Sequence, residues 1–299
     1  MKFKDANEAL LYSRQLFETA VKDAISNSHI LLQESIAQNL RIHEESAISY
    51  LQTASGFLLP DFLHAIKQSS FIPPFATGFP LLDGELDGGF RSGLHGFGAV
   101  SSMGKTSLAL QMCDHMAIQG HDVLYFTIEM APTEIIAKIL SRLTFLLAAE
   151  EKKYLAKTTT GILNGSRYDH YSRDEKELII RALETYADYG RRIYVIEEQF
   201  SLNGGIGPDE IYYQVENHVE KTGNRPAVFI DYLQILKPTD PHLSDKANID
   251  LAVKKLKQLS RDFNIPVFII SSLNRNNYNQ PVNMAAFKES GAIEYGTDT

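Results

Sequence analysis

From residue 94 onward, short apolar runs alternate with stretches in which apolar positions recur every three to four residues. The runs are "LHGFGAV" (94–100), "DVLYFTIE" (122–129), "RRIYVIEE" (191–198), "PAVFIDYLQIL" (226–236) and "IPVFIISSLN" (265–274). Each is nearly continuous in apolar character, the pattern of parallel strands covered on both faces. The strand–helix alternation predicts an open α/β fold: a mostly parallel sheet with right-handed crossovers and helices on both faces. Ligands of such sheets bind at the carboxyl ends of the strands. The polar features of this half of the chain fall at those ends.

The first part has a different texture. Over 5–70 the pattern is helical: "DANE" sets Asp5 and Glu8 at capping-box spacing, and Leu10, Leu11, Phe17, Ala20, Val21, Ala24 and Ile25 follow at helical intervals. A second helix is predicted over about 29–55 and a short one after Pro60. Polar residues interrupt these apolar faces, so 1–70 is expected to pack on a neighbour and not to form its own core. The stretch 71–93, dense in Pro and Gly, reads as a linker and lead-in loop, and 94–299 as the α/β domain.

Composition narrows the classes. The chain has 299 residues, 44% of them hydrophobic, enough for a full core, and a net charge of −8 that argues against a generally basic nucleic-acid binder. A local basic channel remains compatible with that average. One cysteine, Cys113, excludes a disulfide framework, and its place in "LALQMCDHMA" suggests a buried thiol. His95 and His121 flank strands with no second ligand at metal spacing and are expected to be satisfied or exposed. No run approaches the roughly 18 apolar residues of a membrane span, and the start lacks a signal-peptide core, so a cytoplasmic protein without membrane attachment is expected.

The chemistry starts at "AVSSMGKT" (99–106), between a strand and the helical "SLALQM". A strand–loop–helix with GKT at the helix start is the context of a phosphate-binding loop. Its amides and the first helical turn converge on phosphate oxygens. Ala99, Val100, Ser101, Ser102, Met103, Gly104, Lys105, Thr106 and Ser107 form the expected nucleotide-binding set. Lys105 would reach the β- and γ-phosphates, and Thr106 would help hold Mg²⁺. Ala99 stands where the common pattern has glycine, but it ends the strand ahead of the cradle, where negative φ suffices.

Two acids complete the expected site. Asp231 follows four apolar residues at a strand tip; it reads either as a turn residue or as the acceptor of water on Mg²⁺. Glu129 reads either as a cap of the following helix or as the base that orients and deprotonates a water in line with the γ-phosphate. Glu197 and Glu198 also end a strand and read as a solvated edge.

The motifs "SSMGKTSLALQ", "VLYFTIEM", "VFIDYLQIL", "NIPVFIISSLNR" and "FKESGAIEYGTD", with the lead-in "ATGFPLLDGELDGGF", resemble in order and separation the motor domain of DnaB-type replicative helicases. The resemblance covers about 75–298 and implies a RecA-like P-loop NTPase fold. It implies ATP and Mg²⁺ as ligands, with Lys105 and Thr106 on phosphate and metal, Glu129 catalytic and Asp231 on the metal side. Ala at the first loop position is ordinary in that family. It further implies a homo-oligomer, a hexameric ring with ATP between subunits, with single-stranded DNA in the channel and a primase or loader as partner. Asn274 to Lys288 matches the DNA-facing loop, with Arg275 and Lys288 as DNA-binding candidates. The loop 237–247 matches a DNA-facing loop too, but its Lys237 and Lys246, beside the acidic "PTDPHLSD", read either as further DNA contacts, Lys246 being the candidate, or as ordinary surface charges.

Three departures qualify these implications. Ser272 replaces the family's Gln at the γ-phosphate sensor, with Asn274 nearby as a second candidate, so coupling of hydrolysis to DNA grip is in question. The family continues past "YGTDT" into strands carrying an arginine finger, so the chain as given is expected to bind ATP better than it hydrolyses it. Residues 1–70 show no clear match to the family's N-terminal domain; a subunit-docking helix pair and the tail of a primase–helicase are both open. The alternatives are a nucleotide-switched assembly or loading module, and a RecA-like recombination or repair ATPase.

Overall fold

The computed structural model describes residues 58–69, 73–100, 102–197, 205–233, 236–273, 293 and 296–299, with a few isolated positions before 57. Two compact units divide the chain, Met1–Pro73 and Pro74–Thr299. Most of the helical positions expected over 5–55 lie outside the described residues. In the first unit, helix α1 (Leu59–Ser69) matches the helix expected near Pro60. Asp61 in its first turn and Lys67 in its last complement the helix dipole. Leu58, Phe62 and Ile66 form an exposed apolar stripe at four-residue spacing.

The second unit is built on a five-stranded, all-parallel sheet of β1 (Gly93–Ala99), β2 (Val123–Thr127), β3 (Ile193–Ile196), β4 (Ala227–Asp231) and β5 (Pro266–Ser272). The spatial order is β1-β5-β4-β2-β3. Short helix α2 (Pro80–Glu85) precedes β1, and α3 (Lys105–Ile118) joins β1 to β2. Between β2 and β3 run α4 (Pro132–Leu147), a 3₁₀ turn (Glu150–Leu155), α5 (Thr159–Leu163), α6 (Gly165–Asp169) and α7 (Arg173–Gly190). Helix α8 (Pro208–Thr222) leads to β4 and α9 (Asp245–Phe263) to β5.

Alternate strand residues feed two cores, which is why the runs read as continuously apolar. Val123, Tyr125, Ala227, Phe229, Phe268 and Ile270 pack under α3, α4 and α7. Leu124, Phe126, Val228, Ile230, Val267 and Ile269 pack under α8 and α9. The expected sheet covered on both faces is what folds. Cys113 is buried in the first core, and burial holds its thiol well above the ordinary range.

The stretch expected as linker and lead-in loop joins this unit from Pro74 onward because it carries core residues of its own. Phe75 and Phe90 are buried and exchange backbone hydrogen bonds of 2.8 and 2.9 Å. Gly89 makes that approach feasible: a Cβ there would lie 2.4 Å from the Phe75 carbonyl oxygen. Asp83 accepts from the amides of Thr77 and Gly78 and so fixes the turn into α2. At the outer edge of β1, Asp298 N donates to Leu94 O and Gly96 N to Thr299 O.

At the amino end of the sheet, the buried Asp122 carboxylate accepts from Arg192 Nη1 (2.9 Å) and Asn224 Nδ2 (2.8 Å) and pairs with His218 Nε2 (3.2 Å). It ties the starts of β2, β3 and β4 to the end of α8. Asp122→Ala leaves those donors without their acceptor, and is expected to lower unfolding free energy by about 3 kcal/mol in denaturant titration.

Candidate nucleotide-binding site

Strand order decides what can meet at the carboxyl edge. Ala99 ends β1 opposite Ser272 of β5, β5 lies beside β4, and Asp231 of β4 pairs with Thr127 of β2. The phosphate loop, Ser272, Asp231 and the turn after β2 therefore form one row along the sheet edge.

The loop delivers its ligands through backbone geometry. Gly104, at φ +87°, is the left-handed N-cap of α3, and a Cβ on it would meet no atom within 4 Å. The space above the loop is thus open. Ser102 also holds positive φ, while Ala99 does not, consistent with alanine at the strand end. Helix α3 has no acid in its first turn and no side-chain cap. The other described helices of ten or more residues carry Asp61, Glu134, Asp174, Asp209 or Asp245 in their first turns. The positive end of α3 is therefore left for an external anion. Lys105 Nζ donates to the carbonyls of Ala99 (3.1 Å) and Val100 (3.3 Å), which holds the ammonium against its own loop.

Asp231 is buried, and its Oδ2 accepts from Thr106 Oγ1 at 2.8 Å and from the Tyr125 hydroxyl at 2.7 Å. Burial, and then the charge of Asp231, hold the Tyr125 phenol well above its ordinary range, so it remains a neutral donor. By giving its proton to Asp231, Thr106 keeps its lone pairs for a cation.

Glu129 lies two residues beyond the last residue of β2, in a bend and not on the strand as its run suggested. Thr127 shapes that bend: its Oγ1 donates to Met130 O (2.7 Å) and accepts from Met130 N (3.2 Å). The alternative role of helix cap is occupied by another acid, since Ala131 N donates to Glu134 Oε2 at 3.0 Å. Glu129 instead lines a cavity of about 450 Å³ together with Ser102, Gly104, Lys105, Thr106, Ser107, Lys138, Asp231, Tyr232 and Ser272. That volume suits a small ligand. A larger groove of about 580 Å³ on the outer face of α9, lined by Val253, Lys254 and Lys257, offers mostly apolar surface, so size alone does not select the site.

Two cations and two acids thus face one cavity. The donor set fits Mg²⁺ with a polyphosphate: oxygen ligands from a hydroxyl and a carboxylate, and amides and ammonium groups for phosphate. Lys138, Tyr125 and Tyr232 were not anticipated. Lys138 is half-buried on α4, a cation inside the apolar stretch "IIAKIL", and that anomaly was the available signal. Of the other expected residues, Ser101, Asn274, Arg275 and Lys288 lie outside the described residues. Lys246 is exposed on the first turn of α9 beside Asp245. The Lys237 stem packs on Gly205 and Gly207, away from the cavity-lining set. Glu197 is half-buried, and Glu198 lies outside the described residues. His95 is buried with Nε2 at 2.9 Å from Arg91 O, and burial lowers its pKa. Among the described residues no helix is long and apolar enough to cross a membrane.

Comparison with known proteins follows the same residues. The chain is similar to a protein named "Probable replicative DNA helicase" of Guillardia theta, 25% identical over 94% of this chain and 43% of the relative. That match reaches well into the first unit. It is also similar to the replicative DNA helicase DnaB of Haemophilus influenzae, 25% identical over 80% of this chain and 47% of the relative. The chain spans about half the length of the curated relatives it matches. Among solved structures, an isolated ATPase domain superposes with a TM-score of 0.68 at 21% identity, over 81% of both chains. A DnaB-like replicative helicase, described with its interactions with primase, gives 0.66 at 20% identity over 95% of this chain and 67% of that one. At that identity the two structures speak for the fold, which is the expected RecA-like one. The family profile of the DnaB-like helicase C-terminal domain matches residues 75–299. The chain belongs to the DnaB-like helicase C-terminal domain family.

Proposed function

We propose that this chain is the motor of a replicative DNA helicase, binding ATP with Mg²⁺ in the cavity at the sheet edge and using its hydrolysis to move along single-stranded DNA. The observation that carries this reading is the shared cavity of Lys105, Thr106, Glu129 and Asp231. In that cavity the amides after Gly104 and the Lys105 ammonium bind the β- and γ-phosphates. Thr106 and Asp231 hold the metal, which when bound neutralises phosphate charge. Glu129 orients a water and takes its proton as the new O–P bond forms and the bond to ADP breaks. Lys138 adds positive charge on the α4 side.

Oligomerisation as a ring, with ATP at subunit interfaces and a neighbour supplying an arginine, belongs to the same proposal, as does a primase or loader partner. Arg275, Lys288 and Lys246 are the proposed DNA contacts, and Ser272 and Asn274 the proposed γ-phosphate sensors. Ser272, a shorter side chain than the glutamine of the resemblance, lines the cavity, which favours a second reading, a nucleotide-switched loading module. The deciding measurement is ATP turnover with and without single-stranded DNA. The motor requires stimulation by DNA, expected to weaken as salt rises. Tight nucleotide binding with unstimulated turnover supports the switch.

A further inference from the structure

We infer that Tyr125 is a positioning residue for the metal site: its hydroxyl fixes the Asp231 carboxylate so that one oxygen is committed to the protein and the other is left for the cation shell. This rests on the proposed role of Asp231. The geometry follows from the sheet. Tyr125 pairs in register with Phe229, and Asp231 lies two residues further along β4, on the same face. Two residues of strand rise span about 6.6 Å, roughly the reach of a tyrosine side chain from its Cα. That reach brings the hydroxyl oxygen 2.7 Å from Asp231 Oδ2. Tyr125 is fully buried and stacks on Phe229 at 6.3 Å between centroids, so its hydroxyl has little freedom to turn elsewhere.

The two donors, Thr106 and Tyr125, converge on the same carboxylate oxygen. Among the described residues, no hydrogen bond to Oδ1 accompanies them. With Thr106 alone, the carboxylate could rotate about its Cβ–Cγ bond and exchange its oxygens between hydroxyl and cation. The second donor, anchored on a different strand, removes that freedom. Phenylalanine would fill the same core volume, so the hydroxyl itself marks a function beyond packing.

The test is the Mg²⁺ dependence of binding of a fluorescent ATP analogue to the whole protein, for parent, Tyr125→Phe, Tyr125→Leu and Asp231→Asn. Metal-free affinity should be unchanged in Tyr125→Phe. The Mg²⁺ concentration that half-saturates the metal-dependent gain in affinity should rise about tenfold, the effect of one hydrogen bond to a charged group. Tyr125→Leu, which also lacks the hydroxyl, should show the same rise. A parent-like Mg²⁺ requirement in Tyr125→Phe, with Asp231→Asn impaired, overturns the inference and leaves the role of Asp231 intact. A rise in Tyr125→Leu alone assigns the effect to packing and overturns it too. A parent-like requirement in Asp231→Asn removes the metal site as a whole.

Discussion

Lys105→Ala is expected to weaken ATP binding by about 100-fold or more, the loss of charge-assisted contacts to phosphate in a cavity partly screened from water. The residue is suited to so large an effect because helix dipole and ammonium act on the same anion. The N-terminus of α3 has neither an acidic side chain nor a cap. Lys105 Nζ is held against the loop carbonyls of Ala99 and Val100, and the residue lines the cavity. Alanine leaves the amides and the dipole in place, so weak residual binding is expected and its loss need not reflect unfolding. Equilibrium titration with a fluorescent ATP analogue reads the effect, and a thermal melt checks the fold. Unchanged affinity would remove the phosphate-loop assignment and everything proposed from it.

Glu129→Gln is expected to keep ATP affinity within a few-fold of the parent and to lower DNA-stimulated turnover by roughly a thousandfold, the scale of a lost general base. Glutamine preserves the size and hydrogen-bonding reach of the side chain but cannot accept the proton of the attacking water. A purely structural acid would give a different result. The cap position of α4 is served by Glu134, so replacing Glu129 should cost little stability. Single-turnover hydrolysis, compared with binding of the same nucleotide, separates the two effects. Retained turnover would assign the proton to another acceptor.

Much of this molecule could be read from its residue pattern. The five strands, both covered faces, the loop "SSMGKT" and the acid at the end of "VFID" are local features. Backbone propensity and apolar periodicity act over a few residues, and a phosphate loop needs its glycine, lysine and threonine contiguous in sequence. The same reading placed Glu129 on the strand and left its role open between cap and base. A carboxylate's role depends on which helix amides and which cavity it meets, and neither is encoded within a few positions. Thr127, which pins the bend, and Glu134, which takes the cap, leave Glu129 lining the cavity.

The sequence by itself determined the α/β class, the phosphate loop and the candidates Lys105, Thr106, Glu129 and Asp231. Only the tertiary structure decided that β5 separates β1 from β4, and hence that Ser272 lies in the same row as Asp231. It alone brought Lys138 to the cavity and turned Tyr125, an ordinary core residue by pattern, onto the Asp231 carboxylate. The physical reason is range: helix and strand periodicity arises from neighbours along the chain. Strand order and the partner of a buried hydroxyl are set by contacts between residues about 100 positions apart, 106 for Tyr125 and Asp231.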